Sequence, residues 1–221
     1  MVDGEEKDRD QVKKRAVVFD LDGTLIDSEP DILAALNRAL AVSGLEGLSR
    51  EAIRPMIGDG AKTLVERAFA AQGGVGGARE LKNFLADYNA NAVVLTRPYP
   101  GILAALAALR AAGHVLAVCT NKPVGVARDI LHALGMSGYF AVVTGGDSTP
   151  YRKPDPRHLA ATLAALETDF ATMIGDHEND MAAARGLGMP HIFVEWGYGT
   201  GRGTYHASHA VALPGLIMQM G

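Results

Sequence analysis

The chain reads as an α/β protein: a doubly wound parallel sheet between layers of helices, with a four-helix cap inserted behind its first strand. Three observations predict this. From Gly101 onward, short apolar runs alternate with amphipathic stretches, the pattern of successive strand–helix units in a parallel sheet. The first strand, Ala16–Phe19, is apolar without interruption, as a strand covered on both faces should be. Between it and the next strand-like run, Val115–Cys119, lies far more chain than one crossover helix uses, so something is inserted there.

Taken in order, residues 1–14 are mostly charged and read as a disordered tail. The core is expected at 15–29 and 97–221, and the cap at 30–96. Within the cap, helical periodicity appears four times: Ile32, Leu33, Leu36 and Leu40; Ile53, Met56 and Ile57; Leu64, Val65, Ala68 and Phe69; Leu81, Phe84, Leu85 and Tyr88. Hinges are expected at 28–30 and 96–101, where proline and glycine interrupt both periodicities. In the core, helices are expected at 102–112, 123–134, 158–166 and 179–187, and strands at 115–119, 141–144, 171–174 and 191–194. Residues 210–220 should add a short strand and a final helix.

The 221 residues carry a formal charge of −4 and are 48% hydrophobic, enough to bury a sizeable core. No extended basic face is present, which argues against nucleic acid as a partner and leaves small molecules. One cysteine, Cys119, excludes a disulfide framework. The charged start lacks the apolar centre of a secretory signal, and no apolar stretch reaches the roughly 20 residues a bilayer requires. A cytoplasmic monomer or homodimer, with no membrane partner, is expected.

The chemistry concentrates at the strand ends. Asp20 and Asp22 follow the first strand at once, at the sheet edge where open α/β sheets bind ligands, and Gly23 lets the backbone turn behind them. Two acids this close need a cation or a shared proton, which suggests a hard metal such as Mg²⁺. Helix capping, the simpler reading, accounts for one acid and leaves the other. Thr120, Asn121 and Lys122 follow the second core strand, where a hydroxyl and backbone N–H groups ahead of a helix make an anion site. By residue type alone Thr120 reads as a helix N-cap. Lys153 lies in Arg152-Lys153-Pro154-Asp155-Pro156, whose prolines should hold the backbone extended. Arg152 is expected to be exposed. Asp176 and Asp180 repeat the opening logic, one acid at a strand end and another four residues on.

Asp20-Leu21-Asp22-Gly23-Thr24 behind an apolar strand resembles the first motif of the haloacid dehalogenase superfamily. Thr120, Lys153-Pro154 and Gly175-Asp176-x-x-x-Asp180 resemble the second, third and fourth. The order of the motifs and the helical cap after the first match the phosphoglycolate phosphatase-like branch, as do Gly58-Asp59-Gly60, Tyr99-Pro100-Gly101, Thr120-Asn121-Lys122-Pro123 and Gly197-Tyr198-Gly199. The resemblance implies a Rossmann-like core and a Mg²⁺-dependent phosphomonoesterase working through an aspartyl-phosphate. Asp20 would be the nucleophile and Asp22 the general acid and base. Thr120, Asn121, Lys153 and Gly23 would hold the phosphoryl group. Asp20, the Asp22 carbonyl and Asp176 would hold the metal, with Asp180 orienting Lys153 or a metal-bound water. Gly58, Asp59, Gly60 and Lys62, with Arg67 nearby, would help choose the substrate, although a plain helix cap and turn explains the loop equally well.

Phosphoglycolate is the leading substrate. The alternatives are other phosphate esters, such as sugar phosphates or nucleotides, a β-phosphoglucomutase-like phosphomutase, a dehalogenase and a non-catalytic binding module. His177 departs from the serine usual in that branch and is expected to point outward or to touch the metal's water shell. Cys119 lacks the arginine that a cysteine phosphatase needs, and no Gly-Lys-Ser/Thr triplet completes a P-loop. Residues 197–203 read as a loop at the site rim. His206 and His209 lack a third ligand for zinc, and Asp27 and Glu29 read as hinge residues.

Overall fold

The computed structural model describes residues 16–220, so the expected tail at 1–14 lies outside the described residues. Six strands form one parallel sheet: β1 (Ala16–Phe19), β4 (Val115–Cys119), β5 (Val142–Thr144), β6 (Ala171–Gly175), β7 (His191–Val194) and β8 (Tyr205–Ala207). Their order is β5-β4-β1-β6-β7-β8. The chain leaves β1 for the β4 side and later returns to its other side at β6, so the ends of these three strands border one crevice.

Alternate β1 residues serve opposite faces. Val17 and Phe19 pack with α5 (Ile102–Ala111), α6 (Val124–Ala133) and α9 (Leu213–Gln219); Ala16 and Val18 pack with α7 (Pro156–Ala165) and α8 (Glu178–Gly186). That double burial is why the strand carries no polar residue.

Four helices lie between β1 and α5: α1 (Glu29–Val42), α2 (Arg50–Ile53), α3 (Ala61–Ala71) and α4 (Ala78–Asn91). The second is a single α turn that continues as a 3₁₀ turn, Arg54–Met56. Pro55 has no N–H to donate and its ring crowds the preceding turn, so the α-helix cannot run on. The insert enters and leaves through an antiparallel ribbon, β2 (Ile26–Asp27) on β3 (Arg97–Pro98), which lies just ahead of the first expected hinge and within the second. Asp31 ties the ribbon's exit down: its carboxylate accepts from the backbone N–H of Leu95 and Thr96 and from the Thr96 hydroxyl at 2.8–3.0 Å.

The C-terminal strand differs from expectation. It lies at Tyr205–Ala207, while 210–212 is a 3₁₀ turn leading into α9. Only Ala207 of the strand is buried, so no apolar run marks it, and pairing with β7 defines it. The segment around Lys153 also differs: Asp155 N–H bonds to Arg152 C=O at 2.8 Å, closing a turn with a cis Lys153–Pro154 bond in place of an extended run. Asp155 is needed there because its carboxylate caps α7 through the Arg157 N–H. No helix among the described residues is long and apolar enough to cross a membrane.

Candidate active site

Asp20 is the residue immediately after β1. Its backbone N–H bonds to Ile174 C=O on β6 at 2.9 Å, extending the ladder by one step and leaving the side chain at the crevice. Asp176 follows β6 in the same way. One carboxylate oxygen from each of Asp20, Asp176 and Asp180 lies within 4.8 Å of the others, and all three residues are buried. Lys153 Nζ stands 2.9 Å from Asp20 Oδ1 and donates to Asp180 Oδ1 at 2.6 Å. Burial would pull this lysine's pKa down, but Asp180 and Asp20 outweigh it and hold the ammonium above the ordinary lysine value.

Asp176 is held from several sides. Thr24 Oγ donates to its Oδ1 at 3.0 Å, and the N–H groups of Tyr198 and Gly199 donate to its Oδ2 at 2.8 and 3.2 Å. Burial, and then the charge on Asp20, nevertheless pushes Asp176 up to about 6. Gly23 makes the approach possible. Its φ is +82°, and a Cβ there would stand 2.3 Å from Asp176 Oδ2.

A cation suits this arrangement. Asp20 Oδ1 is buried and takes no hydrogen bond, its contact with Lys153 being an ion pair. The donors are all carboxylate oxygens, and burial together with the charge on Asp20 lets Asp176 keep its proton to a higher pH than an exposed acid, a cost that a nearby cation would relieve. Such a set fits a hard divalent ion.

Asp22 turns elsewhere. Both of its oxygens accept from Lys122 Nζ at 2.9 Å, and Ser28 Oγ donates to Oδ1 at 2.5 Å. Lys122 in turn lies 4.6 Å from the ring centre of Tyr88 on α4. Asp20, Asp22, Thr120, Asn121, Lys122 and Tyr88 share one pocket of about 550 Å³, counting its mouth open to solvent.

Thr120 is no helix cap. Helix α6 starts at Val124, whose N–H bonds to Asp147 Oδ1 at 2.7 Å, while Thr120 Oγ accepts from Lys122 N–H at 3.2 Å within its own loop. Asn121 bridges three segments: its side chain exchanges two 2.9 Å bonds with the Lys153 backbone and donates to Gly58 C=O at 2.9 Å. This contact, with a 2.6 Å bond from Asn179 to Asp59, seats the Gly58-Asp59-Gly60 loop against the core. Gly58 and Gly60 line the pocket. Lys62 is exposed and lies 3.8 Å from Glu66, and Arg67 pairs with Asp59 at 2.5 Å, so neither cation enters the pocket. Arg152 is exposed. His177 caps α8, its Nδ1 accepting from Asn179 N–H at 3.2 Å, with its ring against Gly58.

Several participants carried no assignment from sequence: Lys122, Tyr88, Tyr198, Thr24, Ser28 and Asn179. Lys122 belongs to the Thr120-Asn121-Lys122-Pro123 stretch, which the sequence marks, but its side chain had no role of its own there. Tyr88 has core periodicity, which hides it. Tyr198 occupies the rim loop, where its hydroxyl accepts from the N–H groups of Ser28 and Glu29 at 2.7 and 3.0 Å and donates to Asp27 at 2.7 Å. Glu29 is buried against Arg50 and Arg54, so Asp27 and Glu29 both stand at the junction of core and insert.

Residues 17–194 match the model of the haloacid dehalogenase-like hydrolase family. The chain belongs to this family. Among its relatives is a phosphoglycolate phosphatase from Mesorhizobium japonicum, 42% identical over 188 residues, which cover 82% of this chain and 83% of that protein. Another, from Rhodospirillum rubrum, is 45% identical over 195 residues, 83% and 80% of the two chains. The crystal structure of a predicted phosphoglycolate phosphatase from Haemophilus somnus superposes with a TM-score of 0.87 at 28% identity, covering 94% of this chain and 99% of that one.

Proposed function

We propose that the chain is a Mg²⁺-dependent phosphomonoester hydrolase that forms an aspartyl-phosphate on Asp20 and acts on a small phosphate ester, 2-phosphoglycolate first among the candidates. The observation that carries this reading is the buried Asp20 Oδ1, free of hydrogen bonds, beside Lys153 at the wall of the pocket. A carboxylate held at the pocket wall beside an ammonium can approach a phosphoryl group whose negative charge the ammonium offsets. The names of relatives at 42–45% identity support the ester class and the substrate.

In this reading an Asp20 oxygen attacks phosphorus and the ester oxygen leaves, taking a proton from Asp22. Asp22 then removes a proton from the water that cleaves the acyl-phosphate, returning Asp20 and releasing inorganic phosphate. Lys153 offsets the charge of nucleophile and phosphoryl group together, and Thr120 and the backbone N–H groups after it hold the phosphoryl oxygens. A Mg²⁺ ion held by Asp20, Asp176 and the Asp22 carbonyl would supply Lewis-acid polarisation and further charge compensation. Asp180 fixes Lys153, and residues 30–96 act as a cap that closes the pocket against bulk water. A single buried, unpaired cysteine suits a reducing cytoplasm.

Replacing Asp20 with Asn tests the nucleophile. Phosphate release from 2-phosphoglycolate with Mg²⁺ should fall by several orders of magnitude while the melting curve stays cooperative. Equal turnover by the variant and the parent would sink the assignment. In the parent, inorganic phosphate should appear in proportion to ester lost; transfer to a second hydroxyl compound would instead identify a mutase.

A further inference from the structure

Two kinds of wall line the pocket. The strand ends contribute Asp20 and Thr120, while the inserted helices and α6 contribute Ile32, Ile57, Leu64, Phe84, Leu85 and Val126, all apolar. Among these apolar side chains stands one polar group, the Tyr88 hydroxyl. Tyr88 is only 3% exposed, and its hydroxyl finds no acceptor for its proton, the one polar group beside it being the Lys122 ammonium, itself a donor. A buried hydroxyl without a partner is costly unless a ligand supplies one. Beside it, Lys122 has three N–H donors, of which the two Asp22 oxygens occupy at most two. Burial pushes the Tyr88 hydroxyl up to about 12, against the pull of Lys122, so at neutral pH it keeps a proton that it can donate to a ligand.

Two donors side by side in a pocket that also takes a phosphoryl group suit a bifunctional acid. We infer that Tyr88 and Lys122 form the subsite that takes the carboxylate of a short phosphorylated acid. The subsite rests on the phosphatase reading given above and explains how an otherwise apolar wall can select an anionic substrate. Lys62, Arg67 and Arg152 are excluded from this role because they lie off the pocket. The apolar walls also limit what else fits: a polyhydroxylated sugar would leave several hydroxyls there without partners.

Tyr88→Phe separates recognition from folding. It keeps the ring beneath Lys122 and removes a hydroxyl that no protein group satisfies, so the variant should melt at or above the parent's temperature. The readout is kcat/KM for 2-phosphoglycolate divided by kcat/KM for ethyl phosphate, which has no carboxylate. The parent should favour 2-phosphoglycolate, and the variant should reduce that preference about tenfold, the size of one hydrogen bond to a charged group, through KM more than through kcat. An unchanged ratio overturns the subsite, as does a parent without preference or a variant that loses stability. If no ester yields phosphate in a manner that depends on Asp20, the phosphatase reading itself fails, which is a separate result.

Discussion

Lys153→Met removes a charge while keeping most of the side chain's volume, and the structure sets the size of the effect. The Lys153 side chain is 2% exposed, and the carboxylates of Asp180 and Asp20 stand 2.6 and 2.9 Å away. Without the ammonium, three buried acids remain within 4.8 Å of one another. Repulsion between two charges at that distance is about 3 kcal/mol at an effective dielectric constant of about 20, and breaking a buried ion pair from one side costs about 3–5 kcal/mol. For a chain of this length that corresponds to a fall in Tm of about 6–20 °C.

The pH dependence has a definite sign. Asp176, already pushed up to about 6, contributes stability while protonated; that contribution is complete below its ordinary value near 4 and is lost as pH rises through about 6. In the variant, protonation also relieves the repulsion that Lys153 no longer offsets. The deficit should therefore be largest near pH 8 and shrink near pH 5. Thermal melts of the metal-free variant and parent at the two pH values measure this, and added Mg²⁺ should recover part of the loss at the higher pH. A variant melting within about 2 °C of the parent near pH 8 would refute the electrostatic account of the cluster.

Gly23→Ala forces a Cβ to within 2.3 Å of Asp176 Oδ2 at a φ of +82°, so Asp176 must move. Mg²⁺ affinity, read by calorimetric titration, should fall about tenfold or more, as when a group that orients a metal ligand is disturbed. Tyr198→Phe leaves the N–H groups of Ser28 and Glu29 without their acceptor and should cost about 1–3 kcal/mol in urea unfolding. Cys119 is fully buried, and burial pushes its thiol up to about 11. A thiol reagent at about pH 8 should label it only after denaturation, so rapid labelling of the native protein would contradict its place in β4.

Local chemistry made much of this molecule legible from its residues alone. β1 announces itself because both faces are buried, and the acids at 20, 22 and 176 are visible because a strand tip places the next side chain at the sheet edge whatever the rest of the chain does. The insert was visible from length and periodicity, since a parallel crossover uses far less chain. What escaped was set by contacts between segments remote in sequence. Nothing local says that Asp147 reaches the start of α6 in place of Thr120, or that Tyr205–Ala207 becomes a strand by lying beside β7.

The second half of the site is of this kind. Lys122 reaches Asp22 across 100 positions, and Tyr198 reaches Ser28 across 170. Tyr88 shares its spacing with ordinary core residues such as Phe84, and only the folded chain sets its hydroxyl beside an ammonium in a pocket. Residue type and spacing determine which groups a strand end or a helix face can present. Which of them meet, and which polar atom is left without a partner for a ligand to satisfy, follows from packing, because burial removes the water that would otherwise serve every such group alike.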